Sequence, residues 1–125
     1  MDLPAFDTVA WFQVGSDKPE EVEQFYGDLF DWKFNPEPGN DGYDLIEYRD
    51  NKVPGGGVAH VADASENHAV FFVIVQDVPA TVAAAERLGG KVLVAPTASP
   101  SGLVLAHLLD PSGNRFGVFS PPPAS

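Results

Sequence analysis

The order strand–helix–strand–strand–strand occurs twice in this chain, and that repeat constrains its fold more than any other feature. Residues 6–14 are rich in β-branched and aromatic side chains and read as a strand. Ser16-Asp17-Lys18-Pro19-Glu20-Glu21 reads as a helix start, with a polar cap, Pro in the first turn and acids at the positive end of the helix dipole. Val22, Phe25, Tyr26 and Leu29 follow at spacings of three and four and predict the buried face. Strands are expected near 32–36, 42–49 and 56–62, separated by the turn-forming stretches Pro36-Glu37-Pro38-Gly39-Asn40 and Val53-Pro54-Gly55-Gly56-Gly57. The second half repeats the plan. A strand over 69–76 leads to a helix opened by Asp77-Val78-Pro79, with Val82, Ala85 and Leu88 facing inward and Gly89-Gly90 as its stop. Strands near 91–95, 103–109 and 115–119 complete the set. Asp17, Pro19 and Val22 match Asp77, Pro79 and Val82 at a shift close to half the chain, which points to an internal duplication.

A chain of 125 residues is expected to be one domain spanning 1–125, with module 1 at about 5–62 and module 2 at about 68–121. The fold class is α+β: two βαβββ modules whose curved mixed sheets enclose a trough. Both opening strands are apolar on both faces, as a strand is when one face meets a helix and the other lines an interior. In the first strand Phe12 and Val14 share one face, and Trp11 and Gln13 share the other. Function is expected in the trough.

These stretches carry a family resemblance. Trp11-Phe12-Gln13-Val14, Pro19-Glu20-Glu21-Val22-Glu23-Gln24-Phe25-Tyr26 and Leu29-Phe30-Asp31-Trp32 together resemble the first module of the vicinal oxygen chelate superfamily. That group includes glyoxalase I, extradiol dioxygenases, fosfomycin-modifying enzymes and bleomycin-binding resistance proteins. Val75-Gln76-Asp77-Val78 with Leu88-Gly89-Gly90 resembles the second module, and Asp110-Pro111-Ser112-Gly113-Asn114-Arg115-Phe116 resembles the turn before its last strand. Asp31 departs from the usual glycine. The resemblance implies a glyoxalase/bleomycin-resistance-like fold. In the superfamily's enzymes it also implies a divalent metal held by His, Glu or Gln on four strands. Here those positions fall on Trp11 or Ala10, Val70 or Phe71, and Gly117, with only His60 offering a ligand. One His cannot hold a metal alone, so no metal and no cofactor are expected.

Composition removes further classes. There is no cysteine for a disulfide, a thiolate metal site or a nucleophile. The net charge of −11 opposes nucleic-acid binding, and it either attracts a cationic ligand or simply keeps the protein in solution. No membrane association is expected, and a cytoplasmic location follows by default. Gly55-Gly56-Gly57 lacks the Lys and the helix of a phosphate loop and reads as a turn giving close backbone approach.

Trp11 stands where an enzyme of the superfamily would carry a ligand and offers a flat stacking surface with one N–H donor. The ligand-binding set expected from sequence is Trp11, Gln13, Phe34, Tyr43, Tyr48, His60, Val70, Phe72 and His107, with no catalytic residue assigned. His60 either faces the trough or is a core histidine, His107 is wall or core, and His68 is expected at the surface. The leading expectation is a metal-independent binding protein that sequesters an antibiotic or natural product: an aromatic polyketide or enediyne, or a cationic glycopeptide. A metal-independent isomerase or lyase using Glu47 or His60 as base is the alternative. A homodimer is expected, because pairing covers strand edges.

Overall fold

A computed structural model describes residues 5–99 and 101–122. Its elements follow the doubled order: β1 (Thr8–Ser16), α1 (Pro19–Phe30), β2 (Lys33–Pro36), β3 (Tyr43–Tyr48), β4 (Asn51–His60), β5 (His68–Ile74), α2 (Val78–Arg87), β6 (Lys91–Ala98), β7 (Val104–Leu109) and β8 (Arg115–Ser120). The mixed α+β architecture expected from the repeat is present. Two compact units divide the chain. One spans Trp11–Ala69; the other takes Val70 onward together with the residues up to Ala10. The division falls a few residues inside β1 and β5, later than the repeat boundaries suggest.

In the Trp11–Ala69 unit the strands run in the order β2-β3-β4-β1, with β4 parallel to β1 and antiparallel to β3. The ladder pairs Phe12 with Gly56, Val14 with Val58, and Asp44 with Val58. Because facing residues share a side of the sheet, Phe12, Val14, Phe34, Asp44, Ile46, Val58 and His60 point one way. Trp11, Gln13, Gly15, Tyr43 and Gly57 point the other. Ile46 and Val58, both fully buried, are the centre of the first side. Helix α1 lies over that side, with the Phe34 ring where a Cβ on Gly27 would touch it and Tyr26 stacked on Trp32.

Two details of α1 depart from the sequence reading. Lys18 is the N-cap and has no side-chain cap, and the Ser16 hydroxyl instead accepts from the Lys18 N–H at 2.9 Å. Phe25 and Leu29 are 60% and 57% exposed, while Val22, Glu23, Tyr26 and Gly27 turn toward the sheet. The packed stripe is thus rotated by about one residue and brings a carboxylate inward. Asp31 ends the helix in the left-handed region (φ 61°), the conformation that glycine adopts without strain, and its N–H closes on the Gly27 carbonyl at 2.8 Å.

Val53-Pro54-Gly55-Gly56-Gly57 is not a turn but the body of β4. A Cβ at Gly57 would lie inside 3.0 Å of the Tyr43 ring, and one at Gly56 would meet the Phe12 ring in the same way. The glycines let aromatic rings lie flat on the strand from opposite sides, so the expected close approach is real and its cause is side chains.

The second unit orders its strands β5-β8-β7-β6, with β5 parallel to β8. Val75, Val78, Val82, Ala106, Leu108 and Val118 form its buried core between α2 and the sheet. Asp77 caps α2 by accepting from the Ala80 N–H at 3.0 Å. Leu88, expected inward, is 79% exposed, because the helix ends at Arg87 and the chain turns at Gly89.

Candidate functional site

The side of the first sheet away from α1 carries a connected polar and aromatic surface. Trp11 Nε1 donates to the Tyr43 hydroxyl at 2.9 Å. Burial pushes the Tyr43 hydroxyl up to about 12, against the lowering effect of the Trp11 N–H, so it keeps its proton and remains a donor at neutral pH. Two residues along β1, Gln13 Nε2 meets His68 Nε2 at 2.9 Å, and His68 Nδ1 meets the Glu66 carbonyl at 2.8 Å. A carbonyl can only accept, so Nδ1 carries the proton of a neutral imidazole and Nε2 accepts from the Gln13 amide. Gly15 makes room for this ring, since a Cβ there would overlap it. His68, expected at the surface, is half-buried and built into this network.

The expected binding residues do not all gather there. Trp11, Gln13 and Tyr43 share the surface. Phe34 turns to α1 instead. Tyr48 lies edge-on to Trp32 at 5.7 Å and lines an open depression of about 340 Å³ with Phe30, Trp32, Arg49 and Asp50. His60 also points to the helix side and not to the Trp11 surface, and there its Nε2 lies 3.0 Å from Asp44 Oδ2. Strand alternation decides the placements of Phe34 and His60, and at Tyr48 a register shift after Ile46 interrupts the β3–β4 pairing. Glu47 stands opposite Lys33 in the β2–β3 register.

Val70, Phe72 and His107 lie in the second unit and are buried there, on the side of its sheet away from α2. The Phe72 ring covers Gly117, where any Cβ would overlap it, and meets His107 edge-on at 5.2 Å. The Arg115 guanidinium donates to His107 Nδ1 at 3.3 Å, which leaves the ring proton on Nε2.

A second cluster lies on the helix side of the first sheet. Glu23 from α1, Asp44 from β3 and His60 from β4 place ligand atoms within 4.8 Å of one another. Burial, then the hydrogen bond and charge of Asp44, then the charge of Glu20, raise the Glu23 carboxyl to about 8. Asp44 is lowered, first by its bond to Glu23 and then by His60, against its own burial. At neutral pH Glu23 therefore holds a proton and donates it to the Asp44 carboxylate. The signal available in the sequence was the alternation of Asp44 with Ile46 on one strand face.

Residues 11–119 match the model of the glyoxalase-like domain. This chain belongs to that family. A glyoxylase-like domain-containing protein of Didymella fabae is 29% identical over 91 residues, 68% of this chain and 70% of that one. Among solved structures, a methylmalonyl-CoA epimerase of Streptomyces coelicolor bound to 2-nitronate-propionyl-CoA has a TM-score of 0.64. Its identity is 14%, over 94% of this chain and 99% of that one. The Mn(II)-bound glyoxalase of Novosphingobium aromaticivorans has a TM-score of 0.62 at 20% identity, over 96% of this chain and 42% of that one. These likenesses establish that the glyoxalase-like domain here has the vicinal oxygen chelate fold. Of the positions expected to hold the divalent metal that this fold implies, Trp11, Val70 and Gly117 offer no carboxylate, imidazole or amide oxygen from their side chains, and His60, the one ligand expected among them, turns to Asp44 on the helix side. No helix among the described residues is long and apolar enough to cross a membrane.

Proposed function

We propose that this glyoxalase-like domain is a small-molecule-binding protein that holds a flat natural product, an antibiotic among them, against Trp11 and Tyr43 without a metal at that surface. The observation that carries the reading is the Trp11 Nε1–Tyr43 hydroxyl bond at 2.9 Å on the helix-free side of the sheet. It fixes the indole plane and satisfies its one donor, so the ring face is left for stacking. The Tyr43 O–H, already accepting from Trp11, is left to donate to a ligand carbonyl or phenol oxygen. Gln13 adds an amide oxygen as an acceptor beside them, its nitrogen being committed to His68. The residues at positions 11, 70 and 117 support metal independence. The net charge of −11 favours a ligand with a cationic group.

The test is titration of purified protein with an anthraquinone-type polyketide and, separately, with a bleomycin-type glycopeptide. Indole fluorescence is followed in a Trp32→Phe background so that Trp11 alone reports. Quenching that saturates and persists in chelator is expected, and calorimetry should show binding weakened about ten- to a hundredfold in Trp11→Ala, corresponding to about 1–3 kcal/mol. Failure of both ligand classes, or loss of binding in chelator, refutes the reading. The isomerase or lyase alternative has less support, because His60 is bonded to Asp44 on the helix side and Glu47 stands opposite Lys33.

A further inference from the structure

The Glu23–Asp44–His60 cluster stands on the opposite side of the first sheet from Trp11 and Gln13, and the binding reading above makes no use of it. Three separate elements supply its donors, so the fold and not a local sequence run brings them together. Its donor set is mixed, with two carboxyl groups and one imidazole. A second observation comes from a single atom. Glu23 Oε2 is closed off from solvent and has no hydrogen-bond partner among the described residues. A buried oxygen with unused lone pairs is unfavourable unless a proton or a cation satisfies it.

We propose that Glu23, Asp44 and His60 form a binding site for one divalent cation of the zinc class. Two carboxylates neutralise the double charge, and the imidazole favours zinc, cobalt or nickel over magnesium and calcium, which prefer oxygen alone. Donors about 2.0–2.2 Å from a tetrahedral zinc ion lie about 3.3–3.6 Å from one another. The observed ligand atoms lie within 4.8 Å of one another, with His60 Nε2 and Asp44 Oδ2 at 3.0 Å, close to that spacing. The His60 side chain is 39% exposed, which leaves a path for entry and a fourth position for water. The ion would tie α1 to β3 and β4. Because carboxyl and imidazole donors bind an ion only in their deprotonated forms, cation binding releases protons and tightens as pH rises.

The experiment uses the full chain, stripped with chelator, and titrated with Zn²⁺ at pH 6 and pH 8. Calorimetry is expected to give one ion per chain, bound at least tenfold more tightly at pH 8. Co²⁺ should give the intense visible absorption of a four-coordinate site, and Mg²⁺ should not compete. Nitrogen-resolved imidazole spectra should show His60 moving while His68 and His107 stay in place. Glu23→Gln and His60→Ala should each lose tenfold or more in Zn²⁺ affinity. His60→Ala decides the matter if Glu23→Gln does not fold, since His60 is partly exposed. Three results would overturn the proposal: no saturable Zn²⁺ binding below millimolar concentration, Zn²⁺ shifts at His68 or His107 instead of His60, or undiminished binding in both variants. Stability that follows pH but ignores Zn²⁺ would leave the cluster as a shared proton only. Because quenching of Trp11 by ligand is read on the other face in chelator, failure here and failure of the binding reading are separate outcomes.

Discussion

Replacing Gly57 by alanine tests whether the Trp11–Tyr43 surface depends on a missing side chain. The new Cβ would fall inside 3.0 Å of Cε1, Cζ and the hydroxyl oxygen of Tyr43. They include the hydroxyl oxygen that accepts from Trp11 Nε1, so a ring displaced by the new Cβ disturbs that bond. Overpacking of this kind costs about 1–3 kcal/mol. Loss of the hydrogen bond adds about 0.5–1.5 kcal/mol. Against this, alanine restricts the unfolded chain and returns about 0.4–1 kcal/mol. The net expectation is destabilisation by about 2.3 kcal/mol at the middle of these ranges, with limits of about 0.5–4 kcal/mol, or roughly 2–15 °C in Tm for a domain of this length. Urea and thermal unfolding, followed by far-ultraviolet circular dichroism, measure it. A cycle with Tyr43→Ala identifies the cause: once the ring is gone, Gly57→Ala should cost less than about 0.5 kcal/mol, a coupling of at least about 1 kcal/mol. An equal cost in both backgrounds would show that Gly57 matters for its backbone and not for the ring above it.

Three further expectations follow from particular contacts. Asp77→Ala removes the cap on the Ala80 N–H and should destabilise by about 0.5–2 kcal/mol, with Asp77→Asn restoring most of it in the same denaturation assay. The Glu23 carboxyl is raised above its ordinary 4.5 to about 8, so its contribution to stability is complete below the unfolded value and lost as pH rises through about 8. In chelator, Glu23→Gln should therefore remove a fall in Tm between pH 5 and 9 that the unsubstituted protein shows; an unchanged fall would assign that pH dependence elsewhere. Light scattering at micromolar concentration should give twice the chain mass of 13.3 kDa, and a single-chain mass would remove the homodimer expectation.

Element order was legible from the residues alone, because strand and helix periodicities, Pro19 and Pro79, and the Gly89-Gly90 stop are local properties of the chain. The duplication followed from that order, and the family from the sum of short matches spread along it. The separation of Phe12 and Val14 from Trp11 and Gln13 needed only the two-residue period of a strand. What the local pattern could not supply was which carboxylates and imidazoles meet. His68 joins Gln13, and Glu23 joins Asp44 and His60, across separations of tens of residues set by ladder register and by the rotation of α1. The same limit explains Phe25 and Leu29, whose spacing suits a buried stripe although the helix packs through Glu23, Tyr26 and Gly27. It also explains the triple glycine of β4, which resembles a turn until the rings of Phe12 and Tyr43 are in place over it. Backbone preference is written residue by residue, but proximity between distant side chains exists only after the sheet has chosen its register.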